Sequence, residues 1–191
     1  MRRAAILETY DEPLKIQNRD PLEPPADGLV VETEACGICR SDWHAWKGHW
    51  PGHPPEGHIL GHEPAGTVIE VGPDVEEFRQ GDQVGIPFSI ACGHCEYCWE
   101  GQSQVCSNRL SLGLGAKLPG AFASEFAIPK ADFNASHLPD GMDPIEMAAL
   151  GCRFATSFHA LVNKSTVSAG DWLVVHGCGG IGLSAVQIAS A

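Results

Sequence analysis

The sequence predicts an α+β chain that is mainly β: a small strand-rich barrel carrying a cysteine-rich lobe, followed by the opening strand and helix of a parallel α/β unit. Three observations predict it. Turn-forming residues are dense, with 22 Gly and 14 Pro in 191 residues, and they cut the first half into short segments. Four cysteines bunch at positions 92, 95, 98 and 106 in the pattern CxxCxxCx7C. A continuous apolar run from Trp172 leads into a glycine-spaced turn and an amphipathic stretch.

Taken in order, RRAAILE at 2–8, LKIQNRD at 14–20, GLVVETEAC at 28–36 and AGTVIEVG at 65–72 read as short strands, the last ending at Gly72-Pro73. A turn at Gly81-Asp82 precedes another strand, and AFASEFAIP at 121–129 returns to strand-like alternation. The character changes after Pro139-Asp140-Gly141. Asp143 reads as an N-cap, Pro144 as the first helical residue and Glu146 as the partner in a capping box. The helix is expected to stop at Gly151-Cys152, with a second one over FATSFHALVNK at 154–164. Trp172 to Val175 reads as a buried strand running into Gly177-x-Gly179-x-x-Gly182 and a helix, the opening of a Rossmann unit.

Charge and composition exclude several classes. Lys+Arg 12 against Asp+Glu 24 gives a net charge of −12, and the cations are scattered, so a nucleic-acid partner is not expected. No apolar run reaches the roughly 18 residues a membrane span needs, and the N-terminus lacks a signal-peptide core, so no membrane is expected and the compartment defaults to the cytoplasm. Eight cysteines in such a chain favour metal ligation over disulfides.

The chemistry concentrates between Cys36 and Glu63, where two cysteines and five histidines sit among Gly and Pro turns. His49, His53 and His58 each neighbour Pro or Gly and read as exposed turn histidines. Cys39, His62 and the distant Cys152 offer a Cys2His set, three ligands with a fourth position open, as a catalytic zinc requires. Alone, Cys152 reads first as a small buried apolar residue. The spacing of Cys92, Cys95, Cys98 and Cys106 closes a four-thiolate structural zinc shell; an iron–sulfur cluster or a zinc-ribbon nucleic-acid binder is the alternative for that motif by itself. In the glycine motif, Gly177 permits the turn, Gly179 allows backbone to approach a pyrophosphate, and Gly182 lets helix pack on strand.

Together CGICRSDWH at 36–44, GHEPAGTVIEVG at 61–72, the cysteine lobe, LGCRFAT at 150–156 and HGCGGIG at 176–182 resemble the zinc-dependent medium-chain alcohol dehydrogenases over the whole chain. The resemblance implies a GroES-like catalytic domain over 1–152, a connecting helix over 153–167 and an incomplete first βα unit of an NAD(P)-binding Rossmann domain over 168–191. It implies two zinc ions per chain, NAD or NADP, a small-molecule alcohol or aldehyde substrate, and homo-oligomers at full length. Cys39, His62 and Cys152 match its catalytic zinc ligands, while Cys36 matches none. Ser41 matches the hydroxyl that takes the alcohol proton and His44 the relay beyond it. Asp42 matches a carboxylate that orients the ligand histidine, and Glu63 a residue close behind the zinc. Arg40 matches a pyrophosphate contact, Thr156 a nicotinamide contact, and Gly177, Gly179, Gly180 and Gly182 the phosphate loop. Phe88, Trp46 and Trp50 are candidate pocket walls, and equally plain core.

A Glu at the third ligand would have suggested polyol-type members of the family, and loss of the ligand cysteines its zinc-free quinone reductases. One strand and one helix cannot stand as a Rossmann domain, so the chain reads as an N-terminal fragment, inactive or nearly so alone. The alternative from another class is a zinc-stabilised interaction domain that binds a partner through an unfinished sheet edge.

Overall fold

The computed structural model describes residues 1–50 and 54–191; His53, expected as a turn histidine, lies outside them. Strands dominate the first part: β1 (Arg2–Leu7), β2 (Lys15–Arg19) and β3 (Leu29–Gly37) precede helix α1 (Arg40–Trp46), and then come β4 (His58–Ile59), β5 (Glu63–Val71), β6 (Gln83–Gly85) and β7 (Ser89–Ile90). The cysteine lobe holds α2 (Glu96–Trp99) and is followed by β8 (Leu110–Ser111), β9 (Glu125–Ile128), α3 (Ala131–Asn134) and β10 (Ser136–His137). Helices α4 (Pro144–Ala149), α5 (Ala155–Phe158) and α6 (Gly180–Ser190) complete the chain.

The main sheet has the order β10-β6-β5-β3-β9, all neighbours antiparallel. β3 is its spine, because Leu29, Val30 and Val31 bury β-branched and aliphatic bulk against β5 on one side and β9 on the other. Leu29, Val31, Val68, Val84, Phe126 and Ile128 form its core. A smaller sheet has the order β2-β1-β4. Residues 122–124 stitch the two together: Ala5 N–H donates to Phe122 O, Ser124 N–H to Arg3 O, and Thr33 N–H to Ser124 O. These bonds join the two sheets along residues 122–124, while β2 and β10 remain their outer strands. Among the described residues no helix is long and apolar enough to cross a membrane.

The capping box expected at Asp143 is present, with Ile145 N–H donating to Asp143 and Asp143 N–H to Glu146. The helix does not stop at Gly151. It runs on through wider π turns at Leu150–Phe154, then α5, then π turns at His159–Lys164. The glycine serves packing instead: a Cβ on Gly151 would lie 3.0 Å from Glu63 Cβ, so its bare backbone lets the helix settle on the start of β5. Met147 seats α4 in the same way, filling the space that a side chain on Gly85 would need.

A second correction concerns Trp172–Val175, expected as a buried strand. It joins no sheet, and Trp172 is 99% exposed and Val174 91%. A strand satisfies its backbone only through neighbours, and none of the described residues lies beside it to pair. Helix α6 makes its own hydrogen bonds and forms regardless.

Phe126→Ala is expected to destabilise the chain by about 3–5 kcal/mol, whereas Trp172→Ala should change stability by less than about 0.5 kcal/mol. Urea unfolding of the two variants checks the pair, and a large loss at Trp172 would contradict the unpaired placement.

Candidate metal centres

Helix α1 starts on Cys39, whose backbone is extended as an N-cap requires. Cys39 N–H donates to Asp42 Oδ2 at 2.9 Å, so Asp42 caps the helix that carries it. The other oxygen, Oδ1, accepts from Gly61 N–H at 3.1 Å and lies 2.9 Å from His62 Nδ1. Gly61 has a φ of +96° and its missing side chain leaves room for Phe122, so only glycine makes the turn that delivers His62 into the interior.

Asp42 and His62 are both buried. A carboxylate only accepts, so Nδ1 carries a proton and Nε2 is the nitrogen left to serve a metal. Nε2 has no hydrogen-bond partner in the interior. Around it converge the thiols of Cys39 and Cys152 and the Glu63 carboxylate, with one donor atom from each of the four within 4.8 Å of the others. The π turns at Leu150–Phe154 bring Cys152 to this place, a local widening of the kind often met at functional sites.

The groups of this cluster act strongly on one another's protonation. The neighbouring Cys152 thiol draws the Cys39 pKa down to about 3, while Cys152, hydrogen-bonded to the Cys39 sulfur and desolvated by burial, is pushed up. Burial opposes protonation of His62, yet Asp42 and Cys39 outweigh it and raise its pKa to about 9. An orphaned imidazole nitrogen facing two thiol groups is a donor set for zinc, whose thiolate and imidazole preferences it matches.

Glu63 is fully buried. Its Oε1 accepts from Cys152 N–H at 3.1 Å and Arg153 Nε–H at 3.3 Å, and Oε2 accepts from Arg153 Nη2–H at 3.1 Å. Arg153 was not singled out from sequence, where a cation one residue after a ligand looks like surface charge. A buried acid next to His62 is the signal that calls for such a partner.

The second cluster is the cysteine lobe. Cys92 and Cys106 sulfurs lie 3.5 Å apart, Cys95 and Cys98 3.5 Å, and Cys95 and Cys106 3.8 Å, with all four thiols free. Sulfurs placed about 2.3 Å from a tetrahedral centre stand roughly 3.8 Å apart, so the spacing fits a four-thiolate zinc shell. The His94 backbone N–H and neighbouring thiols lower the Cys92 pKa to about 6, which favours the ligating form. Cys36 joins neither group. Burial pushes its thiol up to about 12, which makes it an inert packing residue.

The remaining predicted residues are dispersed around the first cluster. Ser41 Oγ lies 3.8 Å from Cys39 Sγ. His44 Nδ1 is 2.8 Å from His49 Nδ1, and Trp43 and Trp50 flank His44. His49 is exposed as expected but paired, which its sequence context does not reveal. The expectation for His58 fails: the pairing of β4 with β1 at Leu7 buries it, and burial lowers its pKa.

Arg40 stacks its guanidinium 4.5 Å over the Trp43 ring. Thr156 and Phe88 line one cleft of about 370 Å3, and the Phe88 ring is edge-on to His62 at 6.1 Å. Trp46 lines a separate apolar groove with Leu14, Trp43 and Phe122, to which none of the four clustered donors contributes. Gly177 has a φ of +109°, a side chain on Gly182 would strike Gly177 O, Gly179 caps α6, and Gly180 meets Arg153. Cys178 between them is exposed.

Comparison with known proteins adds three findings. Residues 25–140 match the family described as alcohol dehydrogenase GroES-like domain. An alcohol dehydrogenase of Geobacillus stearothermophilus is 37% identical over 190 residues, covering 99% of the chain, and the chain spans 55% of that relative's length. Among solved structures, an alcohol dehydrogenase from Thermus sp. ATN1 superposes with a TM-score of 0.91 at 31% identity over 98% of the chain and 54% of its own. A cobalt- and zinc-bound thermostable alcohol dehydrogenase from Pyrobaculum aerophilum gives 0.87 at 28% identity over 99% and 55%.

Asp42→Ala should weaken metal binding at the Cys39–His62–Cys152 cluster roughly 10–100-fold and leave the four-cysteine lobe unchanged. Competition with a chromophoric chelator reads the two affinities separately.

Proposed function

The chain belongs to the alcohol dehydrogenase family with a GroES-like domain, and from that premise we propose that it is the zinc-bearing catalytic portion of an NAD- or NADP-dependent alcohol dehydrogenase. One observation carries the proposal. Cys39, His62 and Cys152, from three separate segments, meet around the orphaned Nε2 of His62.

In this reading the domain boundaries are those expected from sequence, with 1–152 holding two zinc ions, 153–167 connecting, and 168–191 opening the cofactor-binding unit. Cys92, Cys95, Cys98 and Cys106 hold the structural ion, and Cys39, His62 and Cys152 the catalytic one. When bound there, zinc supplies Lewis acidity toward an alcohol oxygen. The protein's own residues do the remainder. Asp42 fixes the His62 ring, and Phe88 stands edge-on to it as an apolar wall.

Ser41 would take the hydroxyl proton and His44 would pass it on, and a bound nicotinamide would supply the hydride acceptor. The His44–His49 pair supports this route, because His49 stands exposed and offers the proton an exit. Arg40 and the Gly177–Gly182 loop would hold the cofactor pyrophosphate, helped by the N–H groups that begin α6, and Thr156 would contact the nicotinamide. The substrate is a small alcohol, aldehyde or ketone. At full length we place the protein in the cytoplasm as a homo-oligomer.

Metal analysis of the chain should return two zinc ions, and Cys152→Ala should return one with the circular dichroism spectrum unchanged. In the full-length enzyme the same substitution should lower kcat by at least about 100-fold. Retained turnover would overturn the catalytic assignment.

A further inference from the structure

The cluster around His62 contains four possible donors, and a catalytic zinc needs one of them withheld. Zinc held by four protein ligands is closed, whereas three leave room for substrate. Glu63 is the surplus donor: its carboxylate lies within 4.8 Å of the Cys39, His62 and Cys152 donor atoms, and carboxylates are ordinary zinc ligands. We propose that Arg153 keeps the fourth position open by holding the Glu63 carboxylate back from the metal. This rests on the metal reading of the Cys39–His62–Cys152 cluster given above.

Three features carry it. The hold is two-pronged, since Arg153 engages Oε1 through Nε–H and Oε2 through Nη2–H, and Cys152 N–H adds a third bond at Oε1. A planar guanidinium fixes the plane of a carboxylate as well as its position, which a single-point cation would not do. The carboxylate is also backed against bare glycine backbone: a Cβ on Gly37 would lie 2.4 Å from Oε2, so the acid occupies that space.

Arg153 is itself fixed. Its chain rests on Gly180, where a Cβ would come within 2.3 Å of Cδ, and its carbonyl accepts from Ser157 Oγ–H, which also donates to Ile181 O. Without Arg153, a fully buried carboxylate would keep one N–H donor and no counter-charge, and the metal beside it is the nearest cation. Arg153 is thus a positioning residue that acts through Glu63.

Cobalt(II) loaded into both clusters tests this without turnover. The four-cysteine lobe gives a constant visible spectrum, while an open site shifts its bands when imidazole is added. The unsubstituted chain should show a saturable shift. Arg153→Met should bind imidazole about tenfold or more weakly, and the double variant Arg153→Met/Glu63→Gln should recover the original response. If Arg153→Met loses the four-cysteine bands and so the fold, Arg153→Gln, which keeps a donor without the charge, takes its place under the same criteria.

A single variant that binds imidazole as tightly as the unsubstituted chain overturns the proposal. So does a double variant that fails to recover. An unsubstituted chain that takes up only one cobalt overturns the metal reading itself, and is distinguished by that stoichiometry.

Discussion

The Asp42 carboxylate is the interaction on which the rest of this structure depends. Its two oxygens take the Cys39 N–H, the Gly61 N–H and the His62 Nδ1–H. Those three bonds join the start of α1, the turn before β5 and a metal-type ligand, elements separated by about twenty residues of sequence. The bonds are satisfied inside the protein, where an unpaired donor is costly, so each end of the linkage enforces the others. A neutral side chain would cap the helix but would not set the imidazole tautomer. The carboxylate does both, and the free Nε2 follows from it.

Bringing the donors together creates an electrostatic problem that the fold answers in parts. Asp42 and Glu63 are both buried beside two thiols. Like charges so close repel, and each needs a compensating donor or cation. Asp42 is compensated by backbone N–H groups and His62. Glu63 is compensated by Arg153, a cation on the helical segment that also brings Cys152. The Cys39 and Cys152 sulfurs converge on the unpartnered Nε2 of His62, and this donor set is what makes the cluster fit a metal. The four-cysteine lobe has the same logic in simpler form, because four sulfurs at 3.5–3.8 Å spacing have no other reason to share a small volume.

What the sequence reveals of this follows the range over which each constraint acts. The lobe is legible because CxxC spacing acts within a few residues, and the strands are legible because alternation and turn residues act locally. The Asp143 cap is legible for the same reason. Arg153 is not, since its meaning depends on an acid ninety positions earlier that only folding brings near. Gly151 misleads: propensity marks it as a helix stop, while close packing on Glu63 keeps it in a continuous helix. His58 misleads in the other direction, because Gly57 marks a turn but the next two residues pair with β1.

The unpaired segment at Trp172–Val175 bears on how the two ends of the chain are held. The hydrogen bonds that position the His62 cluster run between residues 39 and 153. The glycine turn and α6 are held differently. The turn closes on its own backbone, α6 is sustained by its internal hydrogen bonds, and both rest on the rest of the chain through Arg153 and Ser157. Preceding them, Trp172 and Val174 stay exposed for want of neighbours. The Arg153–Glu63 pair stands between the two, touching the donor cluster on one side and Gly180 at the start of α6 on the other.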